Sequence, residues 1–431
     1  MVNATAMAAL GLTLAGCTGS TASNRTTTVS FWGMGREGEV VQQLVPEFER
    51  QNPGVRVHVQ QFPFSAAHEK LLTAFVGDAT PDLAQLGNSW IAELAALGAL
   101  EPLNPWVSHS EVIDSAGYFR GIWDTNLIGD TLFGVPWYVD TRVIFYRKDI
   151  LANAGFSEMP STWSGWERAM QAIQRQVGSG RYAIFLPTNE WAQPLILGLQ
   201  VGSPLLRDGG RYGAFSDPTF ERAFGFYLRL FRTGLAPPLG NNDIANAYQE
   251  FARGRFAMWI TGPWNLGEFR RRLPPQLQKL WATAPLPGPS GDSSAVSLAG
   301  GSSLVLFRRS QQKPAAWRLV EFLSRPEQQL RVYQLTGDLP ASTAAWRESA
   351  LADSAQMHAF WVQLHRVKPL PKVPEVELIA TKVYQYAEQV IRGGQRPEAA
   401  LAELDRDVNR ILEKRRWVLS RVSSGREVLV R

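Results

Sequence analysis

Two hydrophobic rhythms alternate along the chain. Residues 28–32 (Thr-Val-Ser-Phe-Trp) place apolar side chains at every second position and predict a strand. Residues 39–52 carry Val40, Val41, Leu44, Val45 and Phe48 at helical spacing. That run stops at Asn52-Pro53-Gly54, so the pattern predicts a helix closed by a turn. Residues 55–59 alternate again as a second strand, 67–76 read as a second helix ending at Gly77-Asp78, 82–86 as a third strand and 90–97 as a third helix. This βαβαβ order predicts an open, mostly parallel sheet covered by helices. Such sheets take ligands beyond the carboxyl ends of their strands, which points to the loops at 33–38 and 87–89. Further along, 227–233, 242–254 and 315–329 are helical by period, while 208–210 and 285–291 read as turns or loops.

A chain of 431 residues exceeds one ordinary hydrophobic core and predicts two lobes. No apolar run after the first 20 residues is long enough to span a bilayer. The net charge of +5 is small for this length and its basic residues are dispersed. The short run Arg270-Arg271-Arg272 reads as a solvated face, and no nucleic-acid partner is expected, because duplex binding needs clustered charge. Five scattered histidines and one cysteine predict no metal site and no cofactor. The sequence also holds no H-E-x-x-H, G-x-S-x-G, Walker A or strand-linked G-x-G-x-x-G pattern, so no enzyme is expected. Fifteen tryptophans are the unusual feature of the composition. Most must be core, yet a flat apolar face with one polar handle also suits the stacking of sugar rings.

The single cysteine lies in LAGCTGS, residues 14–20, after a short uncharged apolar tract and before a Thr/Ser-rich stretch. This arrangement resembles the lipobox of bacterial lipoproteins. The resemblance implies a signal peptide over 1–16, lipidation of Cys17, a flexible tether over 17–27, and attachment to the periplasmic or cell-surface side of the cytoplasmic membrane. The leader carries no Lys or Arg, unlike an ordinary n-region.

Five segments in collinear order carry a second resemblance: PEFERQNPGVRV, ATPDLAQLGNSWIAELAALGALEPL, the run 133–170 beginning FGVPWYVDTRV, QEFARGRFAMWITGPW at 249–264, and 299–342 beginning AGGSSLVLF. Together they resemble the family 1 extracellular solute-binding proteins, receptors of bacterial ABC importers that include maltose and trehalose binders. The resemblance implies a two-lobed, type II periplasmic-binding-protein-like α/β fold, each lobe an open, mostly parallel sheet flanked by helices, with the ligand in the cleft between them. Lobe one would comprise 28–139 and 299–341, and lobe two 140–298 and 342–431. The expected partners are a small carbohydrate and the permease subunits of an importer, and the receptor would be a monomer.

On that resemblance, Glu37 aligns with an acidic sugar ligand, Tyr138 and Asp140 with the hinge-side tyrosine and aspartate, and Trp264 with an aromatic platform. Gly301 and Ser302 would reach the cleft as backbone. His68 stands where these binders carry an arginine, Asn88 beside the position of an aspartate that is Gly87 here, and Trp191 where it would stack on a ring or close the cleft. Each has a structural alternative: Glu37 would complement a helix N-terminus, Asp140 would fix the hinge, and Trp264 would be core. Two other functions compete. Glu37, Asp140 and Glu190 would have to converge for glycosidase chemistry, which needs two carboxylates flanking the bond. A glycerophosphodiester receptor would need a helix N-terminus or basic residues in the cleft.

Overall fold

The structure is a computed structural model that describes residues 26–352 and 354–423. Cys17 and the leader lie outside the described residues. Strand β1 (Thr27–Met34) runs straight into helix α1 (Gly35–Gln51). The helix thus begins four residues earlier than its apolar stripe indicates, and 33–38 is a strand end and a helical turn rather than a loop. Glycines allow the tight junction. Gly35 adopts φ +54, and a Cβ on Gly33 would meet the Gly38 Cα at 2.6 Å. The stripe itself faces inward: Val40, Val41, Leu44 and Phe48 are buried, and Phe48 packs on Phe322.

Strand β2 (Val55–Phe62) pairs in parallel with β1 over its whole length. Helix α2 (Phe64–Val76) follows, and the wholly buried β3 (Leu83–Gly87) returns parallel to β1. The six-stranded sheet continues from β3 through Gly300–Leu306 and Val135–Asp140 to Leu339–Pro340, each pairing antiparallel. A second sheet of four strands is ordered Trp281–Ala284, Val143–Arg147, Phe256–Thr261, Tyr182–Phe185, and only its last pair is parallel. Both sheets are therefore mixed. The reason is traffic between them: a strand that leaves a sheet and a neighbouring strand that returns to it run in opposite directions.

The chain passes from the first sheet to the second at Thr141-Arg142 and returns at Ala299. Here the two crossings are stitched together. The Arg142 amide donates to the Ser297 hydroxyl at 3.2 Å, and that hydroxyl donates to the Arg142 carbonyl at 2.9 Å. Three expected helices have different limits. The run at 227–233 is the end of Pro218–Arg232, capped by the Asp217 carboxylate, which accepts the Thr219 amide. The region 242–254 contains only Ala247–Ala252 after a short 3-10 turn. The run 315–329 is two helices, Lys313–Ser324 and Pro326–Thr336, because Pro326 forces Arg325 into an extended conformation. Among the fifteen tryptophans only Trp264 and Trp417 are exposed, so the core reading holds for most of them.

Candidate functional site

A cavity of about 310 Å³ opens between the two sheets. Phe64 and Trp90 form one wall, and Trp191, Leu370 and Pro371 the other. Asn88, Asp140, Arg142 and the Gly300-Gly301 backbone also line it. Two glycines shape the Asp140 side. Gly301 has φ +123 and lies against the Tyr138 carbonyl, 2.2 Å from where a Cβ would sit. At Gly300 the same virtual atom would be 2.4 Å from Asp140 Oδ1, so the Asp140 carboxyl lies across bare backbone.

Asp140 Oδ1 accepts from Arg142 Nη1 at 3.0 Å. Burial pushes the Asp140 carboxyl up and the Arg142 charge pulls it back, leaving it above its ordinary value. The guanidinium also stacks on Trp264, with Cζ 4.5 Å from the ring centroid. Trp264 opens the helix Trp264–Arg272 and is 49 % exposed. Its six-membered ring occupies the space a Cβ on Gly262 would need, at 2.1 Å. It lines a second recess of about 450 Å³ with Arg36, Tyr333 and Gly337. Arg142 is thus the connection between the two hollows.

Glu37 lies in the first turn of α1, where it meets Asp338. Burial first, then the Asp338 charge, pushes Glu37 up to about 7, and Asp338 is raised as well by its own burial. The pair therefore holds a proton at mildly acidic pH. Tyr138 braces it. The phenol oxygen accepts from Ser302 Oγ at 2.9 Å and Gln85 Nε2 at 3.2 Å, which leaves its own proton for Glu37. Tyr138 and Ser302 are buried and do not line the cavity.

Of the remaining expected residues, Asn88 and Trp191 line the cavity. Asn88 Oδ1 accepts from Ser303 Oγ at 3.0 Å, while its Nδ2 has no protein partner. His68 does not line it. Its Nε2 is 2.6 Å from Glu93 Oε2 and its ring lies against Trp90, so it supports the wall from behind. Glu190 accepts the Ala192 amide at 3.3 Å at the start of the helix Ala192–Gln200.

Sequence reasoning missed Arg142, Asp338, Lys372 and Glu377. Alternation along Tyr-Val-Asp-Thr-Arg puts Tyr138, Asp140 and Arg142 on one face, which is a usable signal. Lys372 and Glu377 line the cavity from a distant segment and carry no such signal. Lys372 Nζ donates to Asp124 Oδ1 at 2.9 Å and to its carbonyl at 3.1 Å, and the Ser89 hydroxyl donates to the Glu377 carboxylate. Among the described residues both cations lining the cavity, Arg142 and Lys372, are thus already held by carboxylates. The arrangement offers acceptors, an amide donor and aromatic faces to a small polar, uncharged molecule.

Comparison with known proteins agrees with this architecture. The chain is 50% identical to the sugar-binding protein MalE from the phytopathogen Xanthomonas citri, over 91% of this chain and 99% of that one, with a TM-score of 0.89. It is 24% identical over 368 residues to the diacetylchitobiose-binding protein DasA of Streptomyces coelicolor, covering 83% of each chain. It is 27% identical over 400 residues to an uncharacterised lipoprotein of Streptomyces antibioticus, covering 88% of this chain and 86% of the other. Residues 33–330 match the sequence pattern described as bacterial extracellular solute-binding protein, and with this two-lobed fold the chain belongs to that family.

Proposed function

We propose that this protein is the substrate-binding receptor of an ABC sugar importer. It captures a small neutral carbohydrate, an α-linked glucose disaccharide such as maltose or trehalose, by closure of the cleft, and delivers it to permease subunits. Lobe one comprises 28–139 and 299–341, and lobe two 140–298 and 342–431. A lipid on Cys17 holds a monomeric receptor at the outer side of the bacterial cytoplasmic membrane, a role in keeping with the lipoprotein relative.

The observation that carries the ligand class is the state of the cations. Arg142 is paired with Asp140 and Lys372 with Asp124, so the cavity presents aromatic walls, the carboxyl groups of Asp140 and Glu377, and an amide. A polyol needs hydrogen-bond acceptors and flat apolar surface, and these supply both. A glycerophosphodiester would require a basic group to leave its carboxylate first. Glycosidase chemistry is disfavoured because Glu37 is engaged with Asp338, Glu190 with a backbone amide, and Glu377, on the wall opposite Asp140, with the Ser89 hydroxyl.

The test is a thermal-shift screen of the chain without its leader, using maltose, trehalose, glucose and a glycerophosphodiester. A ligand that binds only the folded state raises the melting temperature, by about 2.7 kcal/mol of added stability at a hundredfold excess over Kd. A shift with a disaccharide is the expected result. A shift with the phosphodiester alone would overturn the proposal.

A further inference from the structure

The cavity, the aromatic platform and the crossing strands meet at one side chain. Arg142 Nη1 donates to Asp140 Oδ1 at 3.0 Å, and Arg142 Cζ lies 4.5 Å from the Trp264 ring centroid. The Arg142 side chain lines the cavity although only 12% of it is exposed. Its backbone is fixed on both sides by the Ser297 hydroxyl. The Asp140 carboxyl is confined between that guanidinium and the Gly300 backbone.

We propose that Arg142 is the positioning residue of this site: one guanidinium orients the Asp140 carboxyl toward the cavity and fixes the plane of Trp264. The hydrogen-bonding and stacking halves of the site are thereby set together. The inference rests on the carbohydrate reading for its binding consequences, and on geometry alone for its effect on Asp140.

The charged and titratable groups around Asp140 are Tyr138 and the Glu37–Asp338 pair on the sheet side, with Lys372 and Glu377 on the opposite wall of the cavity. Lys372 is bound to Asp124 and Glu377 to Ser89. Arg142 is the cation in direct contact with the carboxylate. Burial favours the protonated acid and the Arg142 contact opposes it, so loss of Arg142 leaves burial unopposed by an adjacent cation. A protonated Asp140 loses an acceptor that a sugar hydroxyl would use. Trp264, deprived of its cationic cover, would keep its seat on Gly262 but lose the contact that fixes its other face.

Aspartate side chains labelled with ¹³C in the ligand-free protein report the Asp140 titration directly, with Asp140→Asn identifying its signal. The Asp140 midpoint should rise by about one pH unit or more in Arg142→Met and less in Arg142→Lys. Calorimetric titration of the sugar found in the screen, at several pH values, should show Arg142→Met losing affinity on the acid side at higher pH than the natural protein. That displacement should vanish in the Asp140→Asn background. The affinity losses of Arg142→Met and Trp264→Ala should combine to less than their product, as for groups acting through one contact. Arg142→Gln serves the same comparison should Arg142→Met not fold. An unchanged Asp140 titration overturns the proposal, as does an affinity loss that is equal at every pH and multiplies fully with both partner variants. If the Asp140 midpoint moves while the natural protein binds no sugar, the carbohydrate reading fails and the positioning role stands.

Discussion

Trp264→Ala separates a ligand platform from a structural residue, and its size follows from the exposure of the ring. An aromatic side chain buries about 150 to 250 Å² when fully covered. With 49 % of Trp264 exposed on the second recess, about 100 Å² remains to be covered by a ligand that reaches past Arg142 from the cavity. At about 25 cal/mol per Å² that surface contributes roughly 2.5 kcal/mol, or close to sixty-fold in affinity. The ligand-free protein should lose much less. What the indole gives the fold is its stacking with Arg142, worth about 0.5 to 1 kcal/mol at a partly exposed site, and its seat on Gly262. Calorimetry on the ligand-free and saturated variant measures both quantities on one sample. The expected outcome is weakened binding with a melting temperature lowered by no more than a few degrees. A large drop in ligand-free stability with normal affinity per folded molecule would refute the platform reasoning.

Three further outcomes are expected. Glu37 has a folded value of about 7 against an ordinary 4.5, so the folded state binds the extra proton and stability declines as pH rises between those values; Glu37→Gln should flatten that decline in melting curves taken across the interval. Gly301→Ala should destabilise the protein by about 1 to 3 kcal/mol, because the residue sits at φ +123 with the Tyr138 carbonyl where the methyl would go; denaturant midpoints unchanged from the natural protein would contradict this. Cys17→Ser, expressed from its own leader, should leave the protein uncleaved or released from membranes, and fractionation with processing and attachment as before would remove the lipid anchor from the account.

What was legible in the sequence was local. The α1 stripe identified Val40, Val41, Leu44 and Phe48 as an inward face, and the βαβαβ order identified the parallel part of the first sheet. The helix start escaped because glycines at 33, 35 and 38 look like a loop and here permit close approach of strand and helix. The antiparallel pairings escaped because Gly300–Leu306 finds its partners in Val135–Asp140 and β3, more than 150 residues away, and hydrophobic period carries no record of such distances. In the site, the same rule applies. Tyr138, Asp140 and Arg142 share a face by simple alternation, whereas Asp338 reaches Glu37 from the far end of the chain and Lys372 reaches Asp124 across 248 residues. His68, a ligand candidate by resemblance, is turned to Glu93 and Trp90, partners that no pattern within its own helix records.

The reciprocal bonds between Ser297 and the backbone of Arg142 have a mechanical consequence. Two separate tethers would let the halves of the molecule slide past each other. Pinned there, the crossings resist sliding, and swing about that point is the soft motion once the Lys372–Asp124 and Ser89–Glu377 contacts across the cavity part. Displacement in a swing grows with distance from its axis. Asp140, two residues from the pin, would hardly travel, while Phe64 and Leu370 on the walls would sweep the widest arcs. In such a swing the Asp140 carboxyl would be the near-stationary end of the cavity and its two walls the mobile end.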